Sequence, residues 1–123
     1  MTPQKDKAFA FKALHDRPGM FVLPNPWDVG SARILAGLGF QALASTSAGF
    51  AASTGVADYN ITRDLKLAHV RALASATPLP LTADLENGFG DSPDTCAETI
   101  RLGAEAGLVG GSIEDFTGDA DNP

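Results

Sequence analysis

The sequence predicts an α/β fold, specifically the N-terminal half of an eight-stranded β/α barrel of the TIM type, with parallel strands, in one partial domain over residues 1–123. Two observations point there. Apolar runs and helix-period segments alternate through four strand-then-helix units, the pattern of a parallel sheet with crossover helices. Two of the apolar runs then end in acids, the first followed by glycines, as strands do when they deliver side chains to the carboxyl end of a barrel. Length adds a third constraint, because a closed barrel of this type takes about 250 residues. A chain of 123 residues that stops just past its fourth predicted strand reads as a truncated frame. A four-stranded open α/β domain is the structural alternative.

The elements follow in order. Phe9, Ala10, Ala13 and Leu14 recur at helical spacing until Arg17-Pro18-Gly19 stops them, and Met20-Phe21-Val22-Leu23 reads as a first buried strand. After the loop Pro24-Asn25-Pro26-Trp27-Asp28, either Asp28 or Ser31 caps a helix carrying Ile34, Leu35 and Leu38. Phe40 to Ala44 makes the second strand. Ser45 to Asp58, rich in Ser, Thr, Ala and Gly, is expected to be a long connection, and long connections in compact domains are often functional. Ile61 to Ala76 is an amphipathic helix expected to face inward through Leu65, Leu67, Ala68, Val70 and Leu73. Pro78 and Pro80 introduce the third strand, Ser92 and Pro93 open the next helix, and Leu108 to Ile113 is the fourth strand. Open edges and an uncovered inner face predict exposure of Val22, Leu43 and Leu81, and hence self-association.

Composition narrows the function. A hydrophobic fraction of 44% with 20% charged residues is ordinary for a globular protein. The net charge of -6 without a Lys/Arg cluster argues against nucleic acid or an anionic membrane as partners and favours small polar ligands. One cysteine, Cys96, fits a reducing cytoplasm, and no run is long and apolar enough to span a bilayer. Cys96 itself, in a helix with Ala97 and Ile100, reads as a packed thiol.

The most informative stretch is Leu79-Pro80-Leu81-Thr82-Ala83-Asp84-Leu85-Glu86-Asn87-Gly88-Phe89-Gly90, where an apolar strand ends in two acids and then in glycines. Leu108 to Ile113 ends the same way in Glu114-Asp115, and Asp58 sits on the connection that can fold back over them. Several carboxylates in one mouth repel one another unless a cation shares them. Hard oxygen donors without His or Cys at ligand spacing select magnesium, which keeps several of its waters. Thr46-Ser47-Ala48-Gly49 offers hydroxyls and backbone N–H groups after a strand, suited to a carboxylate or phosphate. Trp27 either caps the mouth or packs on the first helix.

These residues resemble the isocitrate lyase and phosphoenolpyruvate mutase superfamily, especially its mutase-like members. The likeness runs through Leu23-Pro24-Asn25-Pro26-Trp27-Asp28, Ser45-Thr46-Ser47-Ala48-Gly49, Thr82 to Gly90 and Gly110-Gly111-Ser112-Ile113-Glu114-Asp115. It implies a barrel that binds Mg2+ and a small 2-oxo acid or its enol phosphate, cytoplasmic and homo-oligomeric at full length. It also implies roles: Asp84 as direct metal ligand, Asp58, Glu86 and Glu114 holding metal-bound water, and Thr46, Ser47 and Ala48 receiving the substrate carboxylate.

Departures from the family pattern refine the expectation. Lyases of the family carry a Lys-Lys-Cys-Gly-His type of loop after the Glu-Asp pair, whereas Phe116-Thr117-Gly118-Asp119-Ala120-Asp121-Asn122 follows here. No cysteine acid is supplied, and of the mutases' gating Lys and Asn only Asn122 has a counterpart. An aromatic that often precedes the carboxylate stretch is Ala44. The expected function is Mg-dependent cleavage of a C–C or P–C bond of a 2-oxo acid through a metal-stabilised enolate, as a decarboxylase, lyase or phosphonopyruvate hydrolase, with Asp58, Glu114 and Asn122 as candidate catalytic groups. The alternatives are a phosphoenolpyruvate/phosphonopyruvate phosphomutase and a catalytically inert fragment that acts only in association.

Overall fold

The computed structural model describes residues 2–122. Three short strands, β1 (Leu43–Ser45), β2 (Leu81–Asp84) and β3 (Gly110–Ser112), form a parallel sheet in the order β1-β2-β3. Register pairs Leu43 with Leu81 and Ala44 with Thr82, then Thr82 with Gly110 and Asp84 with Ser112. Parallel neighbours need crossovers, supplied here by α3 (Ser47–Thr54) with α4 (Arg63–Ala76), and by α5 (Pro93–Glu105). Ahead of the sheet lie α1 (Gln4–Asp16) and α2 (Val29–Gly37).

Every helix start but that of α1, which follows Pro3, is written in a side-chain cap. Asp28 and Ser31 form a reciprocal capping box on α2, while Thr46, Thr62 and Ser92 each accept a backbone N–H of the first turn of α3, α4 and α5. Gly55 closes α3 in the left-handed conformation at φ 79°. Helix α1 also seals other helix ends. Lys7 Nζ donates to the carbonyls of Ala74 (3.1 Å) and Thr77 (2.9 Å), and Gln4 Nε2 donates to those of Ala104 and Leu108.

The core lies between the sheet and the helices: Leu43, Leu81, Ala83 and Leu85 pack with Ala32, Leu67, Val70, Leu73, Ala74, Ala106 and Leu108. Because strand side chains alternate, the opposite face carries Ala44, Thr82, Asp84, Gly110 and Ser112. That face is small and polar, and Asp84 belongs to it. No helix among the described residues is long and apolar enough to cross a membrane.

Four expectations change. Met20–Leu23 is extended but is not a strand: its neighbourhood makes one sheet-like bond, Ala44 N–H to Pro24 O at 3.1 Å. Pro24 and Pro26 have no N–H to continue a ladder, and Met20 and Val22 are 98% and 66% exposed. The first half of the long second connection is the helix α3, since Ala48, Ala51 and Ala52 favour helix once Thr46 caps it. Leu43 and Leu81 are buried rather than exposed, because they point toward the helices and not to the open face. On α4, Leu65 and Ala68 face solvent, while Lys66 and His69 join Leu67, Val70 and Leu73 inside.

Candidate functional site

The carboxyl end of β2 places Asp84 on the small, polar face, and three hydrogen bonds fix its carboxylate. Ser47 donates to Oδ2 through its hydroxyl (2.7 Å) and its backbone N–H (3.2 Å), and Glu86 N–H donates to Oδ1 (3.0 Å). Burial pushes this carboxyl up, but the Ser47 and Glu86 bonds and the charge of Lys66 outweigh it and hold it below the ordinary range. A carboxylate offers about four lone-pair directions. Oδ1 therefore keeps acceptor capacity for another ligand.

Two residues on, Glu86 stands in the left-handed region at φ 51°, a costly conformation for a residue with a side chain. The sheet ladder holds it there: Leu85 N–H reaches Ser112 O (3.0 Å) and Glu114 N–H reaches Glu86 O (2.9 Å). Glu86 and Glu114 are thus backbone neighbours at one end of the sheet. Glu86 is 3% exposed, and its Oε1 has no partner among the described residues. Burial, followed by the charge of Asp58, pushes it up to about 7; Lys66 opposes the shift, and Asp84 and Glu114 add to it.

Glu114 accepts a hydrogen bond from the Tyr59 hydroxyl, and Tyr59 packs edge-on against Phe116 at 5.2 Å between ring centres. Burial and then the carboxylates of Glu114, Glu86 and Asp58 raise the Tyr59 hydroxyl above its usual range. Asp58 is exposed and accepts from Tyr59 N–H (3.1 Å). The four acids share one field. Among the described residues, however, no three His, Cys, Asp or Glu side chains are close enough to ligate a bare ion together. The donor set suits a hydrated magnesium ion, with one carboxylate bound directly and the others through water, and the partnerless Glu86 Oε1 is an acceptor to spare.

Thr46, Ser47 and Ala48 form the start of α3. Thr46 Oγ1 accepts Gly49 N–H (3.1 Å) and Ser47 serves Asp84. Ala48 N–H has no acceptor among the described residues, so the helix end that favours anions is turned beside the Asp84 carboxylate. A cavity of ≈ 500 Å³ opens here, lined by Asn25, Ala44, Thr46, Thr82, Asp84 and Glu114. A larger one of ≈ 770 Å³ lies on the far side of Glu86 against Tyr59, Arg63 and Thr95. The smaller cavity joins Asp84 to the α3 start.

The remaining expected residues sit apart. Trp27 is 49% exposed and contributes its carbonyl to His69 Nε2 (2.8 Å). Asn122 lies in an exposed turn, with its N–H on Asp119 O (3.1 Å). Cys96 is half-buried against the Asn87 and Gly90 carbonyls and serves the loop after β2. Two residues tied to the acids escaped sequence reasoning, Tyr59 and Lys66; His69, which reads from the sequence as a helix-interior residue and not as a base, is buried on α4. His69 stacks on Phe50 at 3.8 Å, and its Nε2–H donor fixes the tautomer; burial pushes it down to about 4. Spacing held the signal for Lys66, which lies four before Val70 and seven before Leu73 on the buried stripe.

The profile of the phosphoenolpyruvate phosphomutase family matches residues 11–123. A crystal structure of a candidate lyase/mutase from Burkholderia cenocepacia superposes with a TM-score of 0.96 at 63% identity, over 98% of this chain and 43% of that one. An uncharacterized protein of Mycobacterium tuberculosis is 37% identical over 89% of this chain and 42% of its own length. The 2-methylisocitrate lyase of Salmonella typhimurium is 39% identical over 65% of this chain and 28% of its own. The chain thus spans less than half the length of these relatives.

Proposed function

The chain belongs to the phosphoenolpyruvate phosphomutase family, and from that premise we propose that its site serves magnesium-dependent cleavage of a C–C or P–C bond in a small 2-oxo acid. The observation that carries this reading is Asp84, ionised and held by Ser47 and Glu86 beside the open start of α3. A metal carboxylate and a substrate-carboxylate receptor thereby share one residue, Ser47. Asp84 would hold the ion directly, and Asp58, Glu86 and Glu114 would hold its waters. When bound, magnesium supplies Lewis-acid polarisation of the substrate carboxylate and adjoining carbonyl.

The protein's own groups do the rest. Ala48 N–H, with Thr46 and Ser47 around it, receives the substrate carboxylate and fixes its orientation. Glu86, poised near neutrality, and Glu114, held by Tyr59, are placed to hold or pass a proton. Asp58, whose charge acts on Glu86, is a candidate at the rim, whereas Trp27 and Asn122 sit apart from the acids and take no assigned part. Phe116 to Asn122 contains no cysteine acid, which favours decarboxylation or hydrolytic cleavage over a retro-aldol lyase reaction. The single cysteine suits a reducing cytoplasm, and a homo-oligomer is the proposed assembly at full length.

The test is product formation by the intact protein from oxaloacetate, phosphonopyruvate and 2-methylisocitrate, each with and without magnesium. Turnover of a 2-oxo acid that needs magnesium and disappears in Asp84→Ala is expected. Cleavage of 2-methylisocitrate alone, or metal-independent turnover, would overturn the proposal.

A further inference from the structure

Helix α4 packs against β2 and, as a crossover between the parallel strands β1 and β2, begins at the end of the sheet to which β2 delivers its acids; Lys66 lies near that start and turns inward. Lys66 is fully buried (0% exposed), and its Nζ has no hydrogen-bond partner among the described residues. A buried ammonium without partners costs several kcal/mol. Packing does not demand a charge there, since Leu67, Val70, Leu73 and Ala74 already make that face apolar. The field of Asp84, Glu86 and Asp58 offsets part of the cost, since each favours the charged lysine, while burial, the larger effect, brings it down to about 8. The attraction is mutual, for Lys66 favours the ionised forms of Asp84 and Glu86. Full burial also keeps Nζ away from a substrate carbonyl, which removes a Schiff-base role.

We propose that Lys66 is the resident counter-cation of the acid cluster: its ammonium shares the charge of Asp84, Glu86 and Asp58 when no divalent ion is bound, and its repulsion weakens magnesium binding. Lys66 is then a positioning and affinity-setting residue that touches neither metal nor substrate. The inference rests on the metal reading above. A merely structural lysine would, on removal, loosen the site and weaken metal binding; a counter-cation would, on removal, tighten it.

The experiment is calorimetric titration of the full chain with magnesium chloride alone, comparing wild type with Lys66→Met, which keeps the stem and loses the charge. Removing one nearby positive charge should tighten binding about tenfold or more. Lys66→Gln repeats the measurement if the Met variant does not fold. A measurement on the wild type stands independently of either: the 13Cε signal of Lys66 should move as magnesium is added, while those of Lys5 and Lys12 on the exposed face of α1 stay put. Equal or weaker binding by a folded neutral variant, or a Lys66 signal that does not respond at saturation, overturns the inference alone. A wild-type chain that takes up no magnesium overturns the metal reading and this inference together.

Discussion

Glu86→Gln should stabilise the metal-free protein, and more so as the pH rises. The substitution keeps the shape and the left-handed backbone of Glu86 but removes an ionisation that the fold disfavours. Glu86 rises from 4.5 to about 7 on folding, with burial as the first cause and Asp58 as the second. A raised acid binds more protons folded than unfolded, so its penalty is absent below the unfolded value, grows through that window and is complete above the folded value. The gap corresponds to about 3 kcal/mol when fully developed, of which under about 1 kcal/mol is present at pH 5. His69 works in the other direction: it falls from 6.5 to about 4 on folding, so stability is lost as the pH drops through that range. Both proteins share that contribution, and it cancels in the difference. Urea unfolding of wild type and Glu86→Gln at pH 5 and pH 8 measures the difference directly. A variant advantage of about 2–3 kcal/mol at pH 8 that shrinks at pH 5 is expected. An advantage that is absent at pH 8, or larger at pH 5, would refute the account of Glu86 as a buried acid crowded by like charges.

Two further substitutions probe the scaffold. Gly88→Ala should cost about 2 kcal/mol or more, because Gly88 sits at φ 86° and a Cβ would lie 2.6 Å from Cys96 Sγ and 3.2 Å from Cys96 Cα. Adding Cys96→Ala should recover only part of the lost urea midpoint, as the backbone contact and the φ strain remain. Lys7→Met should cost about 1–3 kcal/mol by leaving the Ala74 and Thr77 carbonyls without their donor, with hydrogen exchange rising at the end of α4.

How far the site could be read from the sequence depended on how local its signal was. Asp84 and Glu86 were legible because an apolar run ends in acids and then in glycines. Glu114 followed by analogy, and the Glu114 N–H to Glu86 O bond shows the two strand ends side by side. Thr46, Ser47 and Ala48 were legible as a donor-rich stretch but not as a helix start, since Ser, Thr and Gly resemble a loop until Thr46 is seen to cap Gly49. Met20–Leu23 looked like a strand by hydropathy alone, yet the two prolines beyond it withhold the N–H groups a ladder needs. Lys66 went unread for a different reason: charge ordinarily marks the solvent face of a helix, and only the distant acids at the end of β2 make an inward lysine tolerable. Leu65, apolar but outward, is the other half of the same misreading.

The central claim is that Asp84 is the direct seat of a magnesium ion whose waters the neighbouring acids hold. Calorimetry with magnesium on wild type, Asp84→Ala and Glu86→Ala tests it most directly, because loss of a direct ligand removes a bond whereas loss of a water-holding acid removes only orientation. The account predicts binding by the wild type, a smaller loss at Glu86→Ala and the largest loss at Asp84→Ala. Binding that survives Asp84→Ala better than Glu86→Ala would contradict it.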